Sequence, residues 1–600
     1  MLQSTQSALS AVTREQLERR LDAATHRKPA EVRFTNGTVA DVFSGTFMTD
    51  VDVLVTDGVV VDCVPTGSAE ALETVDLEGG ILLPGFIDAH VHIESSMLVP
   101  ERFAELVLPH GTAVVIADPH EIANVLGTEG LRYMLDASEG LPLDIRFMLP
   151  SCVPATPFEH AGATLDAEKL RPFYAHPRVL GLGEVMNVPG VLGKDPDLLQ
   201  KLVDARTLAR PIDGHAPGVL REALSACVVA GITSDHECST LEEMRESIRR
   251  GMCVMIRQGP AAKNLPELIR GVTPENAHMC MFCNDDANPA DIEQEGHMEK
   301  HLRMAVAAGV PAMTAVRMAT INAANRFGLT ESGAVAPGRR ADFAVVDDLT
   351  HFRVRATYHG GRLTSRDGKL TAPLRAPLRP EGVLSRVRTG AVDADTFAID
   401  VPSGRARVIG LVPHEILTTA HELPVRTEAG KFGKFDAALN PGLVKVAVLE
   451  RHHALGTVGT GILSGYVEAD AFMPGAVATT IAHDSHNIVV AGGSDADMHA
   501  AVERLRQIGG GMTVVRDGQV LAELALPCAG LMSFETGERI ATELEAVYRV
   551  ARETFRIRDT VEPVMTLAFL ALPVIPALRV TDEGLFDVLG WKHVAVDAER

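Results

Sequence analysis

Between residues 81 and 285, short apolar runs alternate with segments whose apolar positions recur at helical spacing. Eight runs stand out, at 81–92, 112–118, 145–151, 179–186, 211–215, 232–236, 253–257 and 278–285. Short apolar runs read as buried strands, and the spacing between them reads as amphipathic helix. Phe103, Leu106 and Val107 share one predicted helical face, and Leu220, Leu224, Cys227 and Val228 share another. Ser239 with Glu242 forms a predicted capping box ahead of Leu241 and Met244. Eight strand–helix repeats over roughly 240 residues suit a (β/α)8 barrel, with a doubly wound open sheet as the alternative.

The flanks have a different texture. Residues 51–56 and 59–64 alternate around Asp57-Gly58, the pattern of a hairpin. Similar short strands return at 334–370, so the two pieces are expected to pair as one β domain split in sequence, 31–85 with 329–375. A polar lead-in (1–30) precedes it, and the barrel is expected over 86–328. After a Pro-rich linker at 372–380, residues 380–600 read as a separate C-terminal α/β domain. The expected fold class is therefore α/β: a TIM barrel, a small split β-sandwich domain and a C-terminal α/β domain.

Charge and composition narrow the partners. The 600 residues carry 56 Lys and Arg against 79 Asp and Glu, a formal net charge of −23. Nucleic-acid binding needs a basic face, so none is expected. Eight cysteines are too few for a disulfide scaffold. Residues 1–20 lack the apolar segment of a secretory signal, and the longest apolar stretch, 564–578, contains two prolines. It falls short of the roughly 20 residues of a spanning helix, so no membrane and a cytoplasmic location are expected.

The chemistry collects where the runs end. They close on Asp88-Ala-His90-Val-His92, Asp118-Pro-His120-Glu121, Gly183-Glu184, Asp213-Gly-His215, Asp235-His236-Glu237 and Asn284-Asp285-Asp286. In a strand, residues i and i+2 project to one side, so His90 and His92 face together. A lone histidine is more often structural than a ligand. Acidic or imidazole groups closing six strands at one mouth call for a metal, since buried charges need partners. Nitrogen and carboxylate ligands suit Zn, Fe or Mn. Cys280-Met-Phe-Cys283 has half a zinc-site spacing with no second pair and reads as core packing, as do Met304, Met313 and Met318.

The run Pro84-Gly-Phe-Ile-Asp-Ala-His90-Val-His92, with the return Gly338-Arg-Arg-Ala-Asp-Phe343, resembles the amidohydrolase superfamily. Glu450-Arg-His-His453, Ala482-His-Asp-Ser-His-Asn487, Leu526-Pro-Cys-Ala-Gly-Leu-Met-Ser533 and Leu572-Pro-Val-Ile-Pro576 resemble the C-terminal domain of its bacterial adenine deaminase family. The resemblance implies hydrolysis of adenine to hypoxanthine and ammonia at a centre of two divalent ions, Mn2+ or Fe2+ with Zn2+ as a further choice. It places His90, His92 and Asp285 on the first ion and His215 and His236 on the second. Glu184 takes the bridging position that many members give to a carboxylated lysine. Asp285 would move the proton from water to the leaving amine. The family's usual glutamate just after the fifth-strand histidine is missing, since the chain reads His215-Ala-Pro-Gly218, so the ring acid is left to Glu237 or Glu121. Asp118, His120, His483 and His486 are expected to touch substrate or to orient the ligands. Asp286 is expected to satisfy backbone or helix-start donors. Cytosine deamination, cyclic amide hydrolysis and a non-catalytic scaffold are the competing readings. A homo-oligomer, dimer or larger, is expected.

Overall fold

The computed structural model describes residues 12–260, 262–384, 386–427 and 433–600. The lead-in contains a helix at Arg14–Ala24, and the part of it before residue 12 lies outside the described residues. Eight parallel strands follow one another in space as in sequence: β1 (Phe86–Val91), β2 (Thr112–Ala117), β3 (Asp144–Pro150), β4 (Val179–Val185), β5 (Ile212–Gly214), β6 (Ser234–Asp235), β7 (Cys253–Arg257) and β8 (Cys280–Cys283). A parallel Val91–Asp285 bridge brings the last strand back to the first, making the barrel. His92 N donates to Asp285 O at 2.8 Å and Asp285 N to His90 O at 2.9 Å. The strands are apolar on both faces, and every residue of β1, β2 and β3 is buried, because helices cover a parallel barrel outside and side-chain layers fill it within.

Local chemistry sets the helix ends. The capping box before helix Leu241–Arg249 lies one residue later than Ser239 and Glu242 suggest: Thr240 is the cap and Glu243 its partner. Glu243 accepts from the backbone N–H groups of both Ser239 and Thr240, so the longer reach satisfies an extra donor. Cys280 and Cys283 are buried in β8, and all eight cysteines are free thiols.

The N-terminal strands and those after the barrel form two sheets. Phe343–Val346 pairs antiparallel with Ile81–Pro84, just ahead of β1. Val51–Thr56 and Val59–Pro65 make the hairpin, with Asp57 and Gly58 both at positive φ as its tight turn requires. Phe34 packs edge-on against Phe343 and Tyr358 between the sheets.

The C-terminal part is built on β9 (Arg405–Leu411), β10 (Thr418–Pro424), β11 (Leu443–Leu449), β12 (Val458–Ser464), β13 (Ala476–Thr479), β14 (Ile488–Gly492), β15 (Gly511–Arg516) and β16 (Gln519–Ala525). Their order is β10-β9-β12-β11-β14-β13-β15-β16, antiparallel except at β9–β12. One continuous apolar cluster runs from Val91 and Phe103 of the barrel to Val446 and Ile540 of this part. A Leu98–Ser533 bridge ties it to the loop that follows β1. The C-terminal sheet therefore docks at the strand-end side of the barrel, where the polar residues are. Among the described residues, no helix is long and apolar enough to cross a membrane.

Candidate metal centre

The barrel mouth holds a tight polar cluster. Glu184, at the end of β4, puts Oε1 2.7 Å from His92 Nε2 and 3.1 Å from His90 Nε2. Asp285 Oδ1 lies 3.1 and 3.5 Å from the same two nitrogens. The other Glu184 oxygen, Oε2, lies 3.1 Å from His215 Nδ1 and 3.9 Å from His236 Nε2. One carboxylate thus faces two groups of ligand atoms: His90, His92 and Asp285 on one side, His215 and His236 on the other. Asp118 and His120 make a further group around Glu184, with His120 Nδ1 3.6 Å from Glu184 Oε1 and 3.8 Å from Asp118 Oδ1.

Neighbours fix the orientation of these ligands. His92 Nδ1 bonds the Asp118 carbonyl at 3.0 Å, which turns Nε2 toward Glu184. Asp213 Oδ2 lies 3.4 Å from His90 Nδ1, and Ser234 donates to its other oxygen at 2.9 Å. Asp235 accepts from Ala216 N at 2.9 Å, which anchors the chain just after His215. Gly183 lets β4 pass Asp118: a Cβ there would fall 2.1 Å from Asp118 Oδ2.

The donor set fits divalent metal. Glu184 Oε1, both ring nitrogens of His236 and both oxygens of Asp118 are buried without a hydrogen-bond partner, and an ion among them would satisfy groups that otherwise cost several kcal/mol. The electrostatics point the same way. Burial works against charge on His90, yet the carboxylates of Asp213, Asp285 and Glu184 outweigh it and raise its pKa well above the usual value. Burial, then the His90 charge, hold the His236 pKa well below its usual value, which favours the neutral ring that a metal ligand needs. Burial would lift Glu184, but His92 and His120 hold it well below the ordinary carboxylate range.

Sequence reasoning passed over Arg257. At the end of β7 it donates to Glu237 Oε1 and Oε2 at 2.5 and 2.9 Å and to Asp285 Oδ2 at 2.6 Å. Seven runs have a charged residue or histidine at or next to their mouth end, and this is the one arginine or lysine among them; that was the available signal. Glu237 also sits 3.5 Å from both His215 Nδ1 and His236 Nε2. Asp286, expected to serve backbone or helix-start donors, instead takes a side-chain hydroxyl. Its carboxylate accepts from Ser95, whose hydroxyl also lies 3.2 Å from Glu121 Oε1.

The two C-terminal histidines separate. His483 brings Nδ1 to 3.6 Å from Glu121 Oε1 and stacks on Phe569, with ring centroids 4.5 Å apart. His486 folds back on its own turn, with Nδ1 3.2 Å from Ala482 N. The turn itself is pinned to the barrel. Asn487 donates to the His160 carbonyl at 2.8 Å, Asp582 accepts from His160 Nδ1 at 2.7 Å, and His453 Nε2 meets the Ala161 carbonyl at 3.0 Å. Burial, then the Glu94 carboxylate, push Glu121 well above the usual range; burial and then Glu184 do the same to Asp118.

Comparison with known proteins now adds to this geometry. Residues 81–365 match the amidohydrolase family and residues 415–591 match the adenine deaminase C-terminal domain. An adenine deaminase of Nitratidesulfovibrio vulgaris is 51% identical over 577 residues, 96% of this chain and 98% of its own. The chain belongs to the adenine deaminase family. Adenine deaminase 2 of Carboxydothermus hydrogenoformans is 47% identical over 96% of this chain and 98% of its own length. The adenine deaminase of Halalkalibacterium halodurans is 42% identical over 97% and 98%. Among solved structures, a zinc-bound adenosine deaminase from Xanthomonas campestris matches 57% of this chain and 94% of its own, at 16% identity and a TM-score of 0.42.

Proposed function

We propose that this family member hydrolyses adenine to hypoxanthine and ammonia with the help of two divalent ions, which His90, His92, Glu184, Asp285, His215 and His236 would hold. The observation that carries the reading is the two-sided Glu184 carboxylate, with His90, His92 and Asp285 on one face and His215 and His236 on the other. Mn2+, Fe2+ and Zn2+ all suit these ligands. Bound divalent metal lowers the pKa of water from about 15.7 to about 7 and so supplies a hydrolytic nucleophile at neutral pH.

The protein's own groups do the rest. Oxygen adds to C6 of adenine as the C6–N1 π electrons move to N1, which takes a proton from the ring acid; the C6–N6 bond then breaks, the oxygen becomes the C6 oxo group, and the second water proton restores the ring acid. Asp285 takes the water proton and returns it to the departing nitrogen, as a general base and then a general acid. Attack also needs a proton or hydrogen bond at the purine ring. Of the two glutamates set aside for this, Glu121 is favoured. Both Glu237 oxygens already accept from Arg257, whereas Glu121 faces Ser95 and His483 from the opposite side of the mouth. Asp118 and His120 orient Glu184 and His92, and His483 carries the C-terminal part into the substrate space; His486 holds that turn together.

The unit of function comprises the barrel (86–328), the split β domain (31–85 and 329–375) and the C-terminal domain (380–600). Eight free thiols suit the reducing cytoplasm, and a homo-oligomer completes the reading. The test is direct. The chain is loaded with Mn2+ and offered adenine, adenosine and cytosine, with ammonia and hypoxanthine measured. Both products from adenine are expected; ammonia from cytosine and none from adenine would overturn the assignment.

A further inference from the structure

Beside the groups that share Glu184, the mouth holds another set with the makings of a cation site. His236, Glu237 and Asp285 each bring one ligand atom to within 4.8 Å of the others. A guanidinium sits there instead. Arg257 NH1 lies 2.5 Å from Glu237 Oε1 and 2.6 Å from Asp285 Oδ2, between the two carboxylates, and NH2 meets the remaining Glu237 oxygen at 2.9 Å. The group is held from behind as well. Its Nε donates to Asn264 Oδ1 at 3.2 Å, and Asn264 N returns a bond to the Arg257 carbonyl at 3.1 Å. Arg257 is buried, and its donors are directed to fixed acceptors.

We propose that Arg257 is a built-in cation that fills this position and keeps an additional ion from binding between Glu237 and Asp285. The inference rests on the cluster being a divalent metal centre. A guanidinium suits the task on chemical grounds. It stays charged at every working pH, its planar fork matches a carboxylate in a bidentate way, and it cannot exchange with solvent or bind a further ligand. A metal ion in its place would engage Glu237 and Asp285 together with His236, drawing one histidine away from Glu184 and coordinating the Asp285 oxygen that faces away from His90 and His92. With Arg257 there, that oxygen is hydrogen-bonded, keeps a second lone pair and remains able to accept a proton. Arg257 is thus a positioning residue for Asp285 and a selector of metal number.

The test counts metal and uses no substrate. Parent protein, Arg257→Gln and Arg257→Lys are equilibrated with micromolar Mn2+, desalted and analysed for metal per chain. Arg257→Gln is expected to hold one equivalent more than the parent, and Arg257→Lys the parent number, since lysine keeps the charge. The double variant Arg257→Gln with Glu237→Gln is expected to return to the parent number. If Arg257→Gln does not fold, Arg257→Ala is used with and without ethylguanidinium, which should displace the added ion. A folded Arg257→Gln or Arg257→Ala with the parent number or fewer overturns the proposal. A parent protein that binds no divalent ion removes the metal-centre reading and the proposal with it. Failure to deaminate adenine alters neither count, so the two readings fail separately.

Discussion

Replacing Gly183 by alanine tests whether the clearance between β4 and Asp118 maintains the centre. The new Cβ would lie 2.1 Å from Asp118 Oδ2, 2.8 Å from its Cγ and 2.9 Å from Met148 Cβ. Ordinary contact begins near 3.4 Å, so the carboxylate or the strand must retreat by more than 1 Å. Asp118 has little room to do so. Its N–H bonds the Val91 carbonyl at 3.1 Å, its carbonyl holds His92 Nδ1 at 3.0 Å, and Met148 behind it is fully buried. The strain therefore passes either to His92 or to Glu184, the next residue on β4. Overpacking of this kind costs about 1–3 kcal/mol of stability. A reacting group misplaced by about 1 Å costs roughly 100-fold in rate. Initial rates of ammonia release across a range of adenine concentrations, with metal per chain and the urea midpoint, give the readout. Gly183→Ala is expected to lose about 100-fold in kcat/KM and to hold metal more weakly. Gly193→Ala is the control, since a Cβ there meets nothing within 4 Å. Parent kcat/KM and parent metal content in Gly183→Ala would refute the reasoning.

Further substitutions probe other parts. Asp285→Asn removes the proposed proton carrier and is expected to cut kcat by about 10²–10⁴-fold; single-turnover hypoxanthine formation checks it. Asp342→Asn tests an ion pair of the β domain. Arg340 lies 2.7 Å from Asp342, and although burial works against the charge, Arg340 and His359 lower the Asp342 pKa from 3.8 to about 2. A depressed folded-state pKa gives stability that is full above the unfolded value and fades as pH falls from about 4 to about 2, worth about 2 kcal/mol at neutral pH. Urea midpoints should show Asp342→Asn weaker at pH 7 and the gap closing toward pH 3; a constant gap contradicts the account. Asp582→Ala frees His160 and the Asn487 turn, so limited proteolysis is expected to cut the 151–164 loop sooner than in the parent, with KM for adenine raised; unchanged cleavage would show that the clamp is dispensable.

The barrel was legible because its signals are local. Each strand announces itself as a short apolar run, and His90 and His92 face one way by strand periodicity alone. Partners that act across the chain left no such mark. Arg257 matters only through Glu237 and Asp285, which other strands deliver, so its run looks like any strand with a polar end. His483 stood out as part of a polar turn, yet nothing nearby in sequence distinguishes it, facing Glu121, from His486, bonded within its own turn. The shift from Ser239 to Thr240 as helix cap has the same origin in miniature. Two hydroxyl residues stand side by side, and the reach of the Glu243 side chain decides between them.

The seam between β1 and β8 has a consequence for how the protein is made. The backbone bonds that join His90 and His92 to Asp285 close the barrel at the same residues that form one face of the centre. These segments lie at opposite ends of the barrel's sequence and meet only when the intervening strands are in order, a slow kind of contact because of its large loop-closure cost. An emerging or half-folded chain therefore has the histidine pair and not the aspartate, and cannot trap an ion in finished form. On the metal-centre reading, uptake follows closure of the barrel rather than the emergence of the histidine pair, and a bound ion would in turn resist reopening of the seam.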